Sequence, residues 1–381
     1  MTNNASDPHG PKTDALTAAE QDWTITCLHS RRFVVEHVRT AGNRHEFESY
    51  DQAVAGRQLL AAQSLLDQSP SPQEGPGADF ISGAQNMLWA PIPRRRAVQE
   101  SGVNITPANF YSSIPLLSDL ESTFEVKSEQ PIPIYHEVFS QERLSDFMEN
   151  LLPYASELSG PEDADENAPG GFFWNNSQFT NSDAVAYYCM LRHLKPKRVV
   201  EIGSGFSTLV ADAALRANGH GEIVAIEPYP RPFLKSVASV KQLIERPIQS
   251  INQLEFLKLV NDADVLFIDS THTVKIGSDC LYIYLHLLPA IKHRIMVHSH
   301  DIFLPFGMPI SWARDHHIYW TEQYLLYAYL LKNPKASVVY GSTYAEHFLR
   351  RTARAFLPEP RPLGGGSLWY ELNVEDTQSS S

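Results

Sequence analysis

The chain has 381 residues, of which 43% are hydrophobic and 20% charged, a composition typical of a globular protein with a sizeable core. Its 31 Lys and Arg residues against 44 Asp and Glu residues give a formal net charge of −13. This acidity argues against nucleic-acid binding and against docking on anionic membranes, because both surfaces attract basic patches. Three separated cysteines and the lack of a signal pattern or a bilayer-length apolar run favour a cytoplasmic protein.

The first part of the chain predicts a small unit followed by a linker. Residues 1–20 are polar and aperiodic, which is typical of a disordered tail. Two runs rich in β-branched and aromatic residues, 23–28 and 32–38, precede an amphipathic helix and predict a ββα unit over residues 21–68. The Pro- and Ser-rich composition that follows predicts an irregular linker over residues 69–105.

From residue 195 the sequence alternates between predicted strands and helices. Continuous apolar strands of this kind are typical of a parallel sheet that helices cover on both faces. We therefore predict an α/β fold with a seven-stranded, doubly wound sheet, in which Pro247 weakens the third strand. The predicted strands are residues 198–202, 222–226, 243–248, 264–268, 294–298, 336–340 and 367–372.

The first of these strands ends in a glycine-rich turn. Glu201, Gly203 and Gly205 precede a helix that starts at Ser207. The two glycines permit a tight turn and the close approach of the backbone to a ligand. Thr208 stands where the dinucleotide-binding fingerprint has its third glycine, which argues against NAD. A purely structural turn is the alternative.

An acidic residue also follows the second strand. Glu227 comes 24 positions after Gly203, where an acid accepts hydrogen bonds from ribose hydroxyls. Ligands of open α/β sheets bind beyond the carboxyl ends of the strands. The two features at consecutive strand ends therefore predict a nucleoside-binding site.

A cluster of acids and histidines follows the fourth and fifth strands. Asp269 ends the fourth strand, His272 comes three residues later, and His300 and Asp301 follow the fifth. Since neighbouring parallel strands end at the same edge, we expect Asp269 to lie close to His300 and Asp301. These three are the candidate ligands of a divalent metal such as Mg²⁺, Mn²⁺ or Fe²⁺. The alternatives are a histidine general base without metal and structural hydrogen bonding.

The glycine turn and the acid after the second strand resemble the Rossmann-like (class I) S-adenosylmethionine (SAM)-dependent methyltransferases. The stretches FIDSTHTVKIGSD (267–279) and VHSHDIFLPF (297–306) resemble one largely uncharacterised bacterial group of methyltransferase-like proteins. The resemblance runs over about residues 109–372. It implies a SAM-dependent methyltransferase domain over residues 106–373. We expect residues 374–381 to form a disordered tail.

The resemblance also implies roles for the residues at the turn. Glu201 would lie near the methionine amino group of SAM, Gly203 and Gly205 beneath the cofactor, and Glu227 on its ribose. The expected cofactor-binding residues are Glu201, Gly203, Gly205, Ser207, Glu227 and Asp269.

The acid and histidine cluster is similar to the metal site of catechol O-methyltransferase and of macrolide-sugar O-methyltransferases. That similarity implies O-methylation of a small hydroxylated acceptor, a sugar or natural product, whose hydroxyl a metal activates. His300 stands where the family has an acid, which argues against plain Mg²⁺. The expected catalytic residues are His272, His300 and Asp301. The alternatives are another metal-dependent reaction on the same fold and a nucleoside-binding protein without catalysis. The sequence leaves open whether the protein forms a homo-oligomer.

Overall fold

The computed structural model describes residues 23–28, 32–37, 44–47, 76–109, 111–122, 130–357 and 360–374. The chain divides into two compact units, residues 1–113 and 114–381. The predicted N-terminal tail, the predicted helix before residue 68 and nearly all of the predicted C-terminal tail lie outside the described residues. No helix of the described part is long and apolar enough to cross a membrane.

The first unit contains a three-stranded antiparallel sheet. Its strands are β1 (Trp23–Leu28), β2 (Arg32–His37) and β3 (Arg44–Phe47), with β2 in the centre. The first two strands agree with the sequence prediction. The third escapes it because its four residues, RHEF, contain one apolar residue and show no clear alternation.

Two helices occupy the segment for which the composition predicts an irregular linker. Helix α1 spans Pro76–Leu88 and helix α2 spans Ile92–Glu100. The prediction of irregular backbone is wrong there. Prolines break a helix in its interior, whereas a proline in the first turn lacks only an N–H that would be unsatisfied anyway. Whether residues 69–105 link two domains stays a prediction.

The second unit is built on the predicted seven-stranded sheet. Its strands are β4 (Arg198–Ile202), β5 (Glu222–Ile226), β6 (Val240–Ile244), β7 (Val265–Ile268), β8 (Ile295–Ser299), β9 (Ala336–Gly341) and β10 (Leu368–Leu372). The order across the sheet is β6-β5-β4-β7-β8-β10-β9, and β10 runs antiparallel to both of its neighbours. The strand predicted over residues 243–248 lies earlier, because β6 is an edge strand that tolerates polar residues and ends before Pro247.

Helices cover both faces of this sheet. The helices in the described part of this unit are α3 (Leu117–Ser122), α4 (Gln141–Leu151), α5 (Asn181–Leu194), α6 (Phe206–Asn218), α7 (Gln253–Val260), α8 (Asp279–Tyr282, continued by a π-helical turn over Ile283–Leu287), α9 (Ile310–His316), α10 (Glu322–Leu330), α11 (Ser342–Phe348) and α12 (Arg350–Phe356). Alternate residues of β7 enter two separate cores: Val265 and Phe267 face one, and Leu266 and Ile268 the other. This alternation is what a doubly wound sheet requires.

The strand order brings the candidate site together. Strands β5, β4, β7 and β8 are parallel neighbours, so the loops that follow them meet at one edge of the sheet. The start of β10 reaches the same edge, since Leu368 pairs with Ser299 at the end of β8. The triglycine segment before β10, residues 364–366, therefore packs beside Asp301.

Candidate functional site

The glycine turn between β4 and α6 has the conformation that its sequence predicts. Gly203 has a φ of +84°, which L residues with side chains rarely adopt, and its N–H donates to the carbonyl of Ile226 at 2.9 Å. A Cβ at this position would overlap the carbonyl oxygen of Asp269. Glycine is therefore required here for two reasons, conformation and close approach to the loop after β7.

Glu201 lies beneath this turn with both carboxylate oxygens engaged. Its side chain is 0% exposed and accepts hydrogen bonds from the Tyr187 hydroxyl at 2.8 Å and the Thr208 hydroxyl at 2.6 Å. Burial raises the pKa of Glu201 to about 7, although both hydrogen bonds act in the opposite direction. Thr208 Oγ1 in turn accepts from the N–H of Gly205, so Glu201 braces the turn from within. Its contact with the cofactor amino group stays a prediction.

Glu227 braces the same turn from the neighbouring strand. Its half-buried carboxylate accepts from the backbone N–H of Ser204 at 3.2 Å and from that of Tyr229 at 2.8 Å. Ser207, the other predicted contact in the first turn of α6, is 3% exposed. The carboxylate of Glu227 is thus partly accessible beside the glycine turn, which a hydrogen bond to the cofactor ribose would require.

Two residues near Gly205 were missed by sequence reasoning. Gln178 Oε1 lies 4.0 Å from a Cβ built on Gly205. The Arg231 guanidinium donates to Gln178 at 3.2 Å and lies 4.6 Å over the ring of Phe206. No spacing in the sequence relates these positions, which lie 53 residues apart.

Asp269, His272 and Asp301 form a compact group that could hold a metal ion. His272 Nε2 lies 3.2 Å from Asp269 Oδ1 and 3.4 Å from Asp301 Oδ2. One ligand atom from each residue falls within 4.8 Å of the others, the only such group of three among the described residues. Two carboxylates and an imidazole are a donor set that divalent transition metals accept.

His272 thus takes the place in this group that the sequence assigned to His300. The His300 side chain is 6% exposed, and its Nε2 lies 3.8 Å from Asp301 Oδ1. Its Nδ1 has no hydrogen-bond partner among the described residues, and its ring lies 4.9 Å from that of Phe179. The sequence did not show this difference, because no periodicity reports the left-handed backbone of His272, whose φ is +57°.

The electrostatics of the group follow from its two carboxylates and from Glu322, whose carboxylate contacts His272 from outside the group. Burial alone would lower the pKa of His272, but hydrogen bonds with Asp269 and Glu322 raise it well above its ordinary value. Burial would likewise raise the pKa of Asp269, and His272 and His300 lower it instead. Burial raises the pKa of Asp301, and the two histidines oppose that shift. The group has more negative than positive partners, which favours the binding of a cation.

Asp183 is a further buried acid at this edge that sequence reasoning missed. It is 8% exposed and accepts from the Ser342 hydroxyl at 2.6 Å and from the N–H groups of Gly366 and Ser367, each at 3.0 Å. Gly366 in turn accepts from the N–H of Ile302 at 2.8 Å. Asp183 therefore fixes the triglycine segment against the loop that carries Asp301.

Comparison with known proteins agrees with this architecture. Residues 200–302, about a quarter of the chain, match the family profile described as "Methyltransferase domain". The chain is also 31% identical over 173 residues to an uncharacterized protein of Archaeoglobus fulgidus, an alignment that spans 43% of this chain and 77% of that protein. The chain belongs to the class I SAM-dependent methyltransferases.

Several solved structures resemble the methyltransferase at low sequence identity. The O-methyltransferase TomG from Streptomyces achromogenes, in complex with SAM, is 14% identical with a TM-score of 0.31, over 62% of this chain and 92% of that one. The S-adenosylhomocysteine (SAH)-bound methyltransferase PaMTH1 from Podospora anserina is 20% identical with a TM-score of 0.34, over 72% and 100%. An O-methyltransferase from Bacillus cereus in complex with SAH is 11% identical with a TM-score of 0.31, over 67% and 100%.

The family match covers only part of the site of this methyltransferase. It includes the glycine turn, Glu227, His272 and Asp301, and it ends at residue 302. Glu322, which contacts His272, lies beyond it in α10. The chemistry around His272 therefore has to be argued from the structure of this chain.

Proposed function

We propose that this methyltransferase transfers a methyl group from SAM to the oxygen of a small hydroxylated acceptor, a sugar or natural product. A divalent cation held by Asp269, His272 and Asp301 assists the transfer. One observation carries the proposal: the glycine turn of the expected cofactor site touches the metal-capable group, since the backbones of Gly203 and Asp269 are in contact. A cofactor methyl group and an activated hydroxyl need to be close neighbours.

The cofactor site is proposed from the loops after β4 and β5. Gly203 and Gly205 let the backbone approach the cofactor, and Ser207 lies in the first turn of the helix that follows. Glu227 accepts hydrogen bonds from the ribose hydroxyls, while Glu201 holds the turn in shape through Thr208. SAM supplies a methyl group on a positively charged sulfur, which an oxygen nucleophile attacks in line.

The acceptor site is proposed on the open side of the acid and histidine group. The side chains of Asp269 and Asp301 are 34% and 21% exposed, whereas that of His272 is 6% exposed. The chemistry that a divalent cation held there would supply is a lower pKa of the acceptor hydroxyl. Transfer of the methyl group releases the hydroxyl proton. Asp301 takes that proton on Oδ1, the oxygen that faces His300, while its Oδ2 faces the cation position. The imidazole in the donor set favours Mn²⁺ or Fe²⁺ over Mg²⁺.

The proposal is tested in two steps. SAH is first titrated calorimetrically into the purified protein, with Glu227→Ala as the variant that should bind weakly. Methyl transfer from labelled SAM to a panel of catechols, sugars and polyketide-type hydroxyl compounds is then measured with chelator and after Mn²⁺ is added back. Label in a hydroxyl compound that chelator abolishes and Mn²⁺ restores supports the proposal. Transfer that chelator leaves unchanged would remove the metal from it, and transfer to nitrogen alone would remove the oxygen acceptor.

A further inference from the structure

Glu322 is a buried carboxylate that the proposed reaction has not yet used. It begins α10 and is 1% exposed. Oε1 accepts from the Tyr284 hydroxyl at 2.7 Å, and Oε2 accepts from the Ser270 hydroxyl at 3.1 Å. His272 Nδ1 lies 2.9 Å from Oε2. Burying a carboxylate is unfavourable unless its oxygens are hydrogen-bonded. His272 is the one basic side chain in contact with Glu322 among the described residues.

The backbone of the same segment also holds His272. The N–H groups of Thr321 and Glu322 both donate to the carbonyl of His272, at 2.8 Å and 3.0 Å. The indole of Trp320 lies 4.5 Å from the imidazole. His272 has a left-handed backbone, which costs about 1 kcal/mol for a residue with a side chain, and these contacts offset that cost.

These contacts fix the orientation of the His272 imidazole. With Nδ1 at Glu322, Nε2 faces Asp269 Oδ1 and Asp301 Oδ2. A histidine whose Nδ1–H donates to a carboxylate presents the lone pair of Nε2, the form in which histidine binds metal. The imidazole of His272, in the loop after β7, is therefore oriented by Glu322 at the start of α10.

We propose that Glu322 is the positioning residue of the site: its carboxylate accepts the Nδ1–H of His272 and so aims Nε2 at the cation position between Asp269 and Asp301. This inference rests on the metal-assisted part of the proposed function. It adds a residue outside the family match, at the start of a helix 50 positions further along the chain. Its role is exerted through His272.

The test measures Co²⁺ binding to the full-length protein by calorimetry and by the visible d–d absorption of the bound ion. Glu322→Gln keeps the shape of the side chain but removes its charge, and we expect about 10–100-fold weaker Co²⁺ binding with a shifted absorption band. Tyr284→Phe is the matched control, because it removes a hydrogen bond to the same carboxylate without touching His272. It should change the affinity less than about threefold and leave the band in place. SAH affinity should be equal in all three proteins, which reports that each is folded.

The outcomes separate this inference from the proposed function. If the unaltered protein binds SAH but no Co²⁺, the metal-assisted mechanism fails and the inference fails with it. If it binds Co²⁺ and Glu322→Gln binds equally well with the same spectrum, only the positioning role is overturned. ¹⁵N NMR of histidine-labelled, unaltered protein gives a result that needs no variant. Protonated Nδ1 and metal-shifted Nε2 at His272 support the inference, and the opposite assignment overturns it.

Discussion

Gly203 and Asp269 follow neighbouring parallel strands and lie backbone against backbone, so that a Cβ on residue 203 would overlap the carbonyl oxygen of residue 269. The glycine turn belongs to the proposed cofactor site, and Asp269 belongs to the proposed metal site. Their contact fixes the spacing between the two sites without any intervening side chain. A change at either backbone is therefore expected to disturb both.

Gly203→Ala tests this contact. We expect a fall of about 2 kcal/mol or more in the free energy of unfolding and at least tenfold weaker SAH binding, since the change adds strain at a φ of +84° and an overlap with Asp269. Gly277→Ala is the matched control, because Gly277 has a φ of +79° but open space around its Cβ position. It should lose about 1 kcal/mol and keep its SAH affinity. Equal effects of the two variants in urea unfolding and calorimetry would contradict the contact argument.

Glu201 predicts a pH dependence of stability. Burial raises its pKa in the folded protein to about 7, from an ordinary value of 4.5. Between these values the folded state holds a proton that the unfolded chain releases, so the Glu201 contribution makes the free energy of unfolding fall as pH rises from about 4.5 to 7. Above pH 7 that loss is complete, at about 3 kcal/mol.

Glu201→Gln removes this titration. The difference in free energy of unfolding between the variant and the unaltered protein should therefore shift in favour of the variant between pH 5 and pH 8. Urea unfolding at several pH values measures it, with Glu245→Gln as a control at a half-exposed carboxylate paired with Lys235. Stability curves of the unaltered protein and Glu201→Gln that run parallel across this range would show that Glu201 does not titrate there.

The sheet and the glycine turn could be predicted because their sequence signals are local. Each central strand is a short apolar run, and the order of such runs in a doubly wound sheet places their carboxyl ends at one edge. The same rule predicts that Asp269 and Asp301 meet at this edge, and they do. The prediction misplaced the edge strand β6, because this strand lacks the apolar run that marks the central strands. It contains the exposed polar residues Lys241 and Gln242.

The partners of each site residue could not be predicted, because they depend on loop conformation and distant segments. His272 replaces His300 in the metal-capable group through a left-handed backbone that no periodicity reports. Glu322 reaches His272 from 50 residues away. Glu201 was expected at the cofactor, yet both its oxygens contact core hydroxyls from Tyr187 and Thr208. Sequence patterns identify which residues reach the edge of the sheet, and packing decides what they touch.

Glu227→Gln tests the proposed ribose contact. We expect SAH binding to weaken by about tenfold or more, because hydrogen bonds to a charged acceptor contribute about 1.5–3 kcal/mol. Glu222→Gln is the control at the opposite end of the same strand, where the carboxylate pairs with Arg198 at 2.8 Å. It should leave SAH affinity unchanged in calorimetry. An equal loss in both variants would point to a general effect on β5, and no loss in Glu227→Gln would remove the ribose assignment.

Asp183→Asn tests whether the triglycine segment is fixed from α5. Asn replaces one of the two acceptor oxygens with an NH₂ group, so it loses the hydrogen bonds of either Oδ1, from Ser342 and Ser367, or Oδ2, from Gly366, and we expect a loss of about 2–4 kcal/mol in the free energy of unfolding. Ser342→Ala removes one of these donors and should lose about 1 kcal/mol. Urea unfolding measures both. A smaller loss in Asp183→Asn than in Ser342→Ala would show that the two backbone hydrogen bonds contribute little.

Asp301→Asn and His300→Ala test the catalytic assignment. Asp301 belongs to the metal-capable group and is the proposed proton acceptor, and His300 lies beside it at 3.8 Å. We expect turnover with an acceptor found in the hydroxyl-compound panel to fall by about 10²–10⁴-fold in Asp301→Asn, the range that a general acid–base group contributes. Turnover should fall less in His300→Ala than in Asp301→Asn, since the ring of His300 acts through Asp301. SAH affinity should be unchanged in both, because neither residue belongs to the proposed cofactor site. Asp315→Asn, at an exposed acid paired with Arg314, is the control and should keep full turnover. Full activity in both Asp301→Asn and His300→Ala would place the chemistry elsewhere on the carboxyl edge.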